Sequence, residues 1–85
     1  MLLHSDAAAT FIEVEVSTAE LFADLASQAT ETTTRERLLQ IAREACDSAE
    51  RFFPRTHFQP SKHAQIQGRL SAVEAKLQQM DYLLG

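Results

Sequence analysis

The chain has few residues that break a helix. Its 85 residues include no Trp, one Tyr, two Gly and two Pro. A β-rich fold of this length needs turn residues between many short strands, so the scarcity of Gly and Pro excludes it and favours a few long helices. Because aromatic residues make up only 7% of the chain, Leu and Ala must provide most of the packing.

An excess of basic charge is also missing. Eight Lys and Arg residues against twelve Asp and Glu give a net charge of −4. Nucleic acids and anionic membranes bind clustered basic residues, so we expect neither as a partner. The N-terminal residues lack the basic start and apolar run of a signal peptide, and no apolar run reaches the ~20 residues of a membrane helix. We therefore expect a cytoplasmic protein.

Motifs that carry chemistry are absent from the sequence. Cys46 is the single cysteine, so an internal disulfide is excluded. Cys46, His57 and His63 are too far apart in the sequence to resemble a zinc site, which uses tight local pairs of ligands. No glycine-rich phosphate loop and no paired nucleophile and base are present. We expect a non-enzymatic protein with no catalytic residue, metal or cofactor.

Three amphipathic segments predict helices over about residues 6–29, 34–53 and 60–83 in a single domain spanning residues 1–85. Ser5 or Asp6 is a suitable N-cap for the first helix. At 100° per residue, one apolar stripe is predicted there. It comprises Ala8, Phe11, Thr18, Ala19, Phe22, Leu25, Ala26 and Ala29. Glu15 falls near the centre of this stripe, which makes it a candidate buried polar residue.

Residues 12–16 also permit a different interpretation. Ile12, Val14 and Val16 alternate with two glutamates, as in a half-buried strand, and a capping box from Ser17 to Glu20 would then begin a shorter helix. A lone strand leaves its backbone groups unpaired, and no second strand is evident. We favour a continuous helix, and a strand that pairs only with its copy in a dimer remains the alternative.

The second and third helices have clearer apolar faces. A capping box from Thr33 to Glu36 begins the second helix, and Pro54 ends it at Phe53. Its stripe comprises Leu38, Leu39, Ala42, Ala45, Cys46, Ala49, Phe52 and Phe53. The third helix starts at Pro60, and its apolar positions follow heptad steps of four and three at Ile66, Leu70, Val73, Leu77, Met80 and Leu84. Short joints favour antiparallel neighbours, so we predict an all-α, up-down-up three-helix bundle.

Charge is unevenly distributed between the helices. The first helix holds five acids and no Lys or Arg, the acids being Asp6, Glu13, Glu15, Glu20 and Asp24. One interpretation is an acidic docking face for a larger protein. The other is a solvated face that also complements the Arg residues of the second helix.

The second helix resembles known helical families. The run from Ala42 to Asp47, followed by Arg51-Phe52-Phe53-Pro54, resembles small uncharacterised bacterial helical proteins with an Ala-x-x-Ala-aromatic-Asp helix. Ala42, Ala49 and Pro54 are also similar to the second helix of a tetratricopeptide (TPR) repeat, although Cys46 stands where that repeat prefers an aromatic residue. The resemblance implies a TPR-like helical hairpin plus a third helix, with no function attached.

The size of the core points to self-association. A three-helix chain this short buries a thin core, and small domains commonly gain stability by oligomerisation. Several apolar positions flank the predicted stripes and are candidates for an interaction surface: Ile12, Val16, Leu21, Ile41, Tyr82 and Leu83. We therefore predict a protein–protein interaction module that forms a homo-oligomer, as a dimer, or binds another protein. The alternatives are a ligand- or metal-binding helical subunit that uses Glu15 inside the bundle, and the acidic docking domain.

Overall fold

In a computed structural model, the chain folds into three α-helices within the described residues, which are 2–84 for the backbone and 7–82 for the side chains. Helix α1 spans Leu2–Gln28, α2 spans Thr32–Phe52 and α3 spans Pro60–Leu84. A single 3₁₀ turn, Phe53–Arg55, follows α2. No strand occurs in the described residues, so the prediction of an all-α three-helix bundle is confirmed. None of the described helices combines the length and apolarity that crossing a bilayer requires.

Helix α1 is continuous through residues 12–16, so the strand alternative is wrong. It also begins earlier than predicted, at Leu2, which places Ser5 and Asp6 inside the helix rather than at its N-cap. The physical reason is that no Gly or Pro precedes Ser5 to stop the helix from extending in that direction.

The start of α2 differs from the predicted capping box. Helix α2 begins at Thr32, so its N-cap is Glu31, which has an extended backbone conformation. The residues of the predicted box, Thr33 and Glu36, lie inside the helix. Thr34 Oγ1 donates a hydrogen bond to Glu31 Oε1 at 2.7 Å, and Arg35 Nη2 donates one to the Ala29 carbonyl at 2.7 Å. These contacts hold the α1–α2 joint in place of the predicted cap.

Ion pairs between the helices define their directions. Glu13 and Glu20 of α1 contact Lys62 and Arg69 of α3. From one ion pair to the next, the residue numbers increase in both helices, so α1 and α3 are parallel. Helix α2 connects them and runs in the opposite direction, which gives the predicted up-down-up arrangement. The bundle is a rod with principal extents of 46 × 19 × 17 Å.

The core places a different face of α1 inward from the one predicted. The buried residues of α1 recur at steps of four and three, and we call them the inner seam: Ile12, Val16, Ala19, Ala23 and Ala26. Phe11 and Leu25, which were predicted in the core, are 42% and 40% exposed. The prediction was wrong because α1 carries apolar residues on two faces, and we centred the stripe on the larger side chains.

The predicted faces of α2 and α3 are confirmed over most of their length. Helix α2 buries Leu39, Ala42, Ala45, Cys46 and Ala49. Helix α3 buries Ile66, Leu70, Val73 and Leu77, and Met80 is partly buried against them. Phe52 departs from its prediction at 39% exposure, and the side chain of Leu84 lies outside the described residues.

Alanines dominate the contact between α1 and α2. Each helix buries three of them, and α1 and α2 make the most extensive backbone approach in the bundle. Small side chains let two helix axes come close together. Helix α3 packs against this pair through larger residues such as Ile66 and Leu70.

Overpacking the α1–α2 contact tests this arrangement. Ala42 is 0% exposed, so Ala42→Leu must separate the two helices, and we expect a loss of about 1–3 kcal/mol in the free energy of unfolding. The matched control is Ala75→Leu on the exposed face of α3, which should be nearly neutral. Urea denaturation followed by circular dichroism measures both. Equal stability of the two variants would contradict close packing at Ala42.

Candidate interaction surface

A second row of residues lies on the side of α1 opposite the core. It also follows steps of four and three, and we call it the outer seam: Ala7, Phe11, Val14, Thr18, Leu21 and Leu25. Val14 and Leu21 are each 55% exposed, Phe11 is 42% exposed and Leu25 is 40% exposed. A continuous row of exposed apolar side chains is the usual mark of a contact surface. The heptad spacing fits a partner helix.

Two depressions border the outer seam. Near its N-terminal end, Ala7, Ala8, Phe11 and Phe52 line an apolar depression of about 340 Å³, which we call the notch. The Phe11 and Phe52 rings meet edge to face there at 5.6 Å. A groove of about 470 Å³ follows the middle of the seam. Both are open to solvent, so they suit a protruding side chain of a partner better than an enclosed small molecule.

The acids of α1 next to the outer seam are paired with bases of α3. Lys62 Nζ lies 2.9 Å from Glu13 Oε1. Arg69 donates two hydrogen bonds to Glu20, at 2.6 and 3.0 Å. A third pair joins Lys76 and Asp24. The expectation that Arg residues of the second helix complement these acids is therefore wrong, because the parallel α3 presents its bases at seven-residue steps along the same edge of α1.

The outer seam carries no charged residue of its own, and α3 compensates the acids that lie beside it. The six residues of the seam are apolar apart from the Thr18 hydroxyl. Each partly exposed ion pair contributes only about 0.2–1 kcal/mol to stability. Their larger effect is on the surface, since the negative charge beside the seam is compensated within the same chain.

The predicted interaction residues fall into four groups. Ile12 and Val16 are 0% exposed and belong to the core, so predicting them as surface residues was wrong. Ile41 is half-buried, while Leu21 and Tyr82 are exposed. Leu83 lies in α3, but its side chain is outside the described residues. Of this set, Leu21 alone lies on the outer seam.

Glu15 is half-buried at the edge of α1, between the two seams. Its predicted place in the interior was wrong, because the core face is centred on Ile12, Val16 and Ala19 rather than on Phe11 and Phe22. No polar side chain among the described residues is buried. No group of three or more His, Cys, Asp or Glu among them is arranged to hold a metal ion.

Sequence reasoning missed the outer seam, although its signal was present. Val14 and Leu25 continue the four-three steps of Phe11, Thr18 and Leu21. We combined residues of both rows into one stripe. Testing a second heptad frame on the same helix would have separated them.

Two carboxyl groups meet where α2 packs on α3. Glu50 lies close enough to Glu74 to share a hydrogen bond, with Asp47 nearby and an Arg43–Asp81 ion pair closing the other end of the same depression. Burial, followed by the hydrogen bond and the neighbouring carboxylates, raises the pKa of Glu50 from 4.5 to about 7. The folded state therefore holds a proton that the unfolded state has already released at neutral pH.

This proton predicts a pH dependence of stability. Between pH 4.5 and about 7 the folded chain binds more protons than the unfolded chain, so the free energy of unfolding should fall as the pH rises through this window. Glu50→Gln removes the repulsion between the carboxylates of Glu50 and Glu74. The variant should be more stable than the wild type at pH 8 by ~1 kcal/mol, a value reduced because Glu50 is partly exposed. The difference should vanish near pH 5.

The matched control is Glu36→Gln, an exposed position on the same helix. Thermal melts at pH 5 and pH 8 measure all three proteins. The control should shift little and equally at both pH values. A Glu50→Gln variant with the same shift at both pH values would refute the shared proton.

Cys46 is buried on α2, and its chemistry follows from that position. Burial, assisted by the charges of Glu50, Glu74 and Asp47, raises the pKa of the Cys46 thiol to about 12. The thiolate is the reactive form of cysteine, so the native thiol is inert at neutral pH.

Thiol labelling tests this directly. We expect Cys46 to react with a disulfide reagent at least ~100-fold more slowly in the native protein than in denaturant, because the chain must open first. Ser71→Cys in a Cys46→Ala background places the thiol on the exposed face of α3 and is the control. Equal native rates for the two thiols would show that Cys46 is accessible.

Comparison with known proteins assigns no family to these features. No protein-family model, curated protein or solved structure matches the chain significantly. The resemblance to small bacterial helical proteins and to a TPR helix therefore stays a prediction, and the outer seam must be interpreted from its own geometry.

Proposed function

We propose that this chain is a non-enzymatic, cytoplasmic interaction module that self-associates through the outer seam of α1. The observation that carries the proposal is a helix with two heptad seams, of which the bundle buries only the inner one. The outer seam presents its four large apolar residues at 40% to 55% exposure. Leaving such a row in water is unfavourable, and covering it with another helix recovers roughly 25 cal/mol for each Å² of apolar surface buried.

A second copy of the chain is the occupant that the charges favour. Five acids with no Lys or Arg would oppose the pairing of two α1 helices. However, Lys62, Arg69 and Lys76 compensate three of the acids along the seam. Closed two-fold dimers are also the commonest assembly of identical chains.

The two alternative functions have less support. A ligand- or metal-binding subunit that uses Glu15 needs that side chain inside the bundle, whereas Glu15 lies at the edge of α1. An acidic docking domain needs acids that are available to a basic partner, whereas Glu13, Glu20 and Asp24 are engaged by α3.

Light scattering over a range of concentrations tests self-association. The wild type should rise from monomer to dimer mass between low and high micromolar concentration. Leu21→Glu places a charge in the middle of the outer seam and should keep the protein monomeric, because burying an unpaired carboxylate is costly. Ser71→Glu, on the exposed face of α3, is the matched control and should dimerise as the wild type does.

Both variants change residues exposed in the folded chain, so circular dichroism should show unchanged helicity. A wild type that stays monomeric at every concentration would overturn the proposal. Equal dimerisation of Leu21→Glu and the wild type would place the contact on another surface.

A further inference from the structure

We infer that the two copies of α1 pair antiparallel, so that Leu25 of each subunit enters the notch of the other. This inference rests on the proposed self-association and specifies its geometry. It is drawn from the outer seam itself, which has an apolar depression near one end and an exposed leucine, Leu25, at the other.

The two features lie far apart on the same helix. Ala7 in the notch and Leu25 are separated by eighteen residues, or about 27 Å at 1.5 Å per residue. In a two-fold dimer, an antiparallel arrangement places each notch opposite a leucine and satisfies both at once. A parallel arrangement places notch against notch and Leu25 against its own copy, and leaves both depressions empty.

The residues of the seam are complementary in the antiparallel register. Ala7 meets the partner's Leu25, Phe11 meets the partner's Leu21, and Val14 meets the partner's Thr18. The end layers each combine a leucine with an alanine, the inner layers pair side chains of similar size, and the Thr18 hydroxyl is the one polar group of the seam. The opposite directions of the two helix dipoles also favour this orientation.

The same register gives Glu15 a defined position. The two-fold axis passes at the level of residue 16, so Glu15 and its copy lie on the same side of the dimer, near the axis. Two carboxylates at close range repel each other. We therefore expect Glu15 to limit the affinity of the dimer, and Glu15→Gln to bind its copy about two- to fivefold more tightly.

The dimensions of the seam predict a weak dimer. A strip about 27 Å long and about 10 Å wide is a small contact compared with the roughly 800 Å² per partner of a standard interface. Association should therefore be reversible, with a dissociation constant in the micromolar range.

Disulfide trapping distinguishes the two orientations. In a Cys46→Ala background, Ala7→Cys and Leu25→Cys are prepared separately and oxidised alone or as a mixture. A disulfide requires Cα atoms within about 7 Å. The antiparallel dimer should form a mixed disulfide between the two variants and almost no homodimeric disulfide in either alone. Light scattering under reducing conditions must first show that each variant still dimerises.

The outcomes separate this inference from the proposed function. Strong homodimeric disulfides of Leu25→Cys alone would overturn the antiparallel geometry and leave self-association through α1 intact. Dimer mass without any disulfide would overturn the seam contact itself. Monomers throughout, in the wild type as well, would overturn the proposed function. A Glu15→Gln variant that dimerises no more tightly than the wild type would contradict the register.

Discussion

The close approach of α1 and α2 through buried alanines is the constraint on which the rest of the bundle depends. Ala19, Ala23 and Ala26 face a similar alanine-rich surface on α2. Because small side chains bury little apolar area each, this contact gains from tight packing rather than from area. Helix α3 then supplies the larger buried residues that a core of this size needs, and it does so from one clean heptad seam.

The alanine-rich inner seam has a consequence for the outer surface of α1. The inner seam approaches α2 closely, so it accommodates Ile12 and Val16 only at its N-terminal end. The larger residues Phe11, Leu21 and Leu25 lie on the other side of α1. From Ala19 onward the buried residues of α1 are all alanines while Leu21 and Leu25 are exposed, which inverts the usual placement of small and large apolar residues. This inversion is unfavourable for an isolated monomer and becomes favourable when a second helix covers the outer seam.

The same inversion explains which predictions succeeded. The existence of three helices, their order and the core face of α3 were predictable, since Ile66, Leu70 and Val73 belong to one unambiguous periodicity. The face of α1 was not, because hydrophobicity weights large side chains and thereby moves the predicted core toward Phe11 and Leu25. Nothing in the sequence of α1 alone tells which of two seams meets α2. Helix α2 determines which seam is buried, because its own buried alanines pack closely against a face of small residues.

Helix α3 links the charge of the chain to the proposed assembly. It contributes no residue to the outer seam, yet Lys62, Arg69 and Lys76 compensate the acids beside that seam. Without them, pairing two α1 helices would bring six uncompensated carboxylates, those of Glu13, Glu20 and Asp24 in each copy, next to the contact. These bases recur every seven residues along α3, and each contacts one acid on that edge of α1, namely Glu13, Glu20 or Asp24. The apolar side of α3 therefore completes the core. Its basic edge compensates the acids of α1, so that the proposed second copy meets no uncompensated charge from these acids at the outer seam.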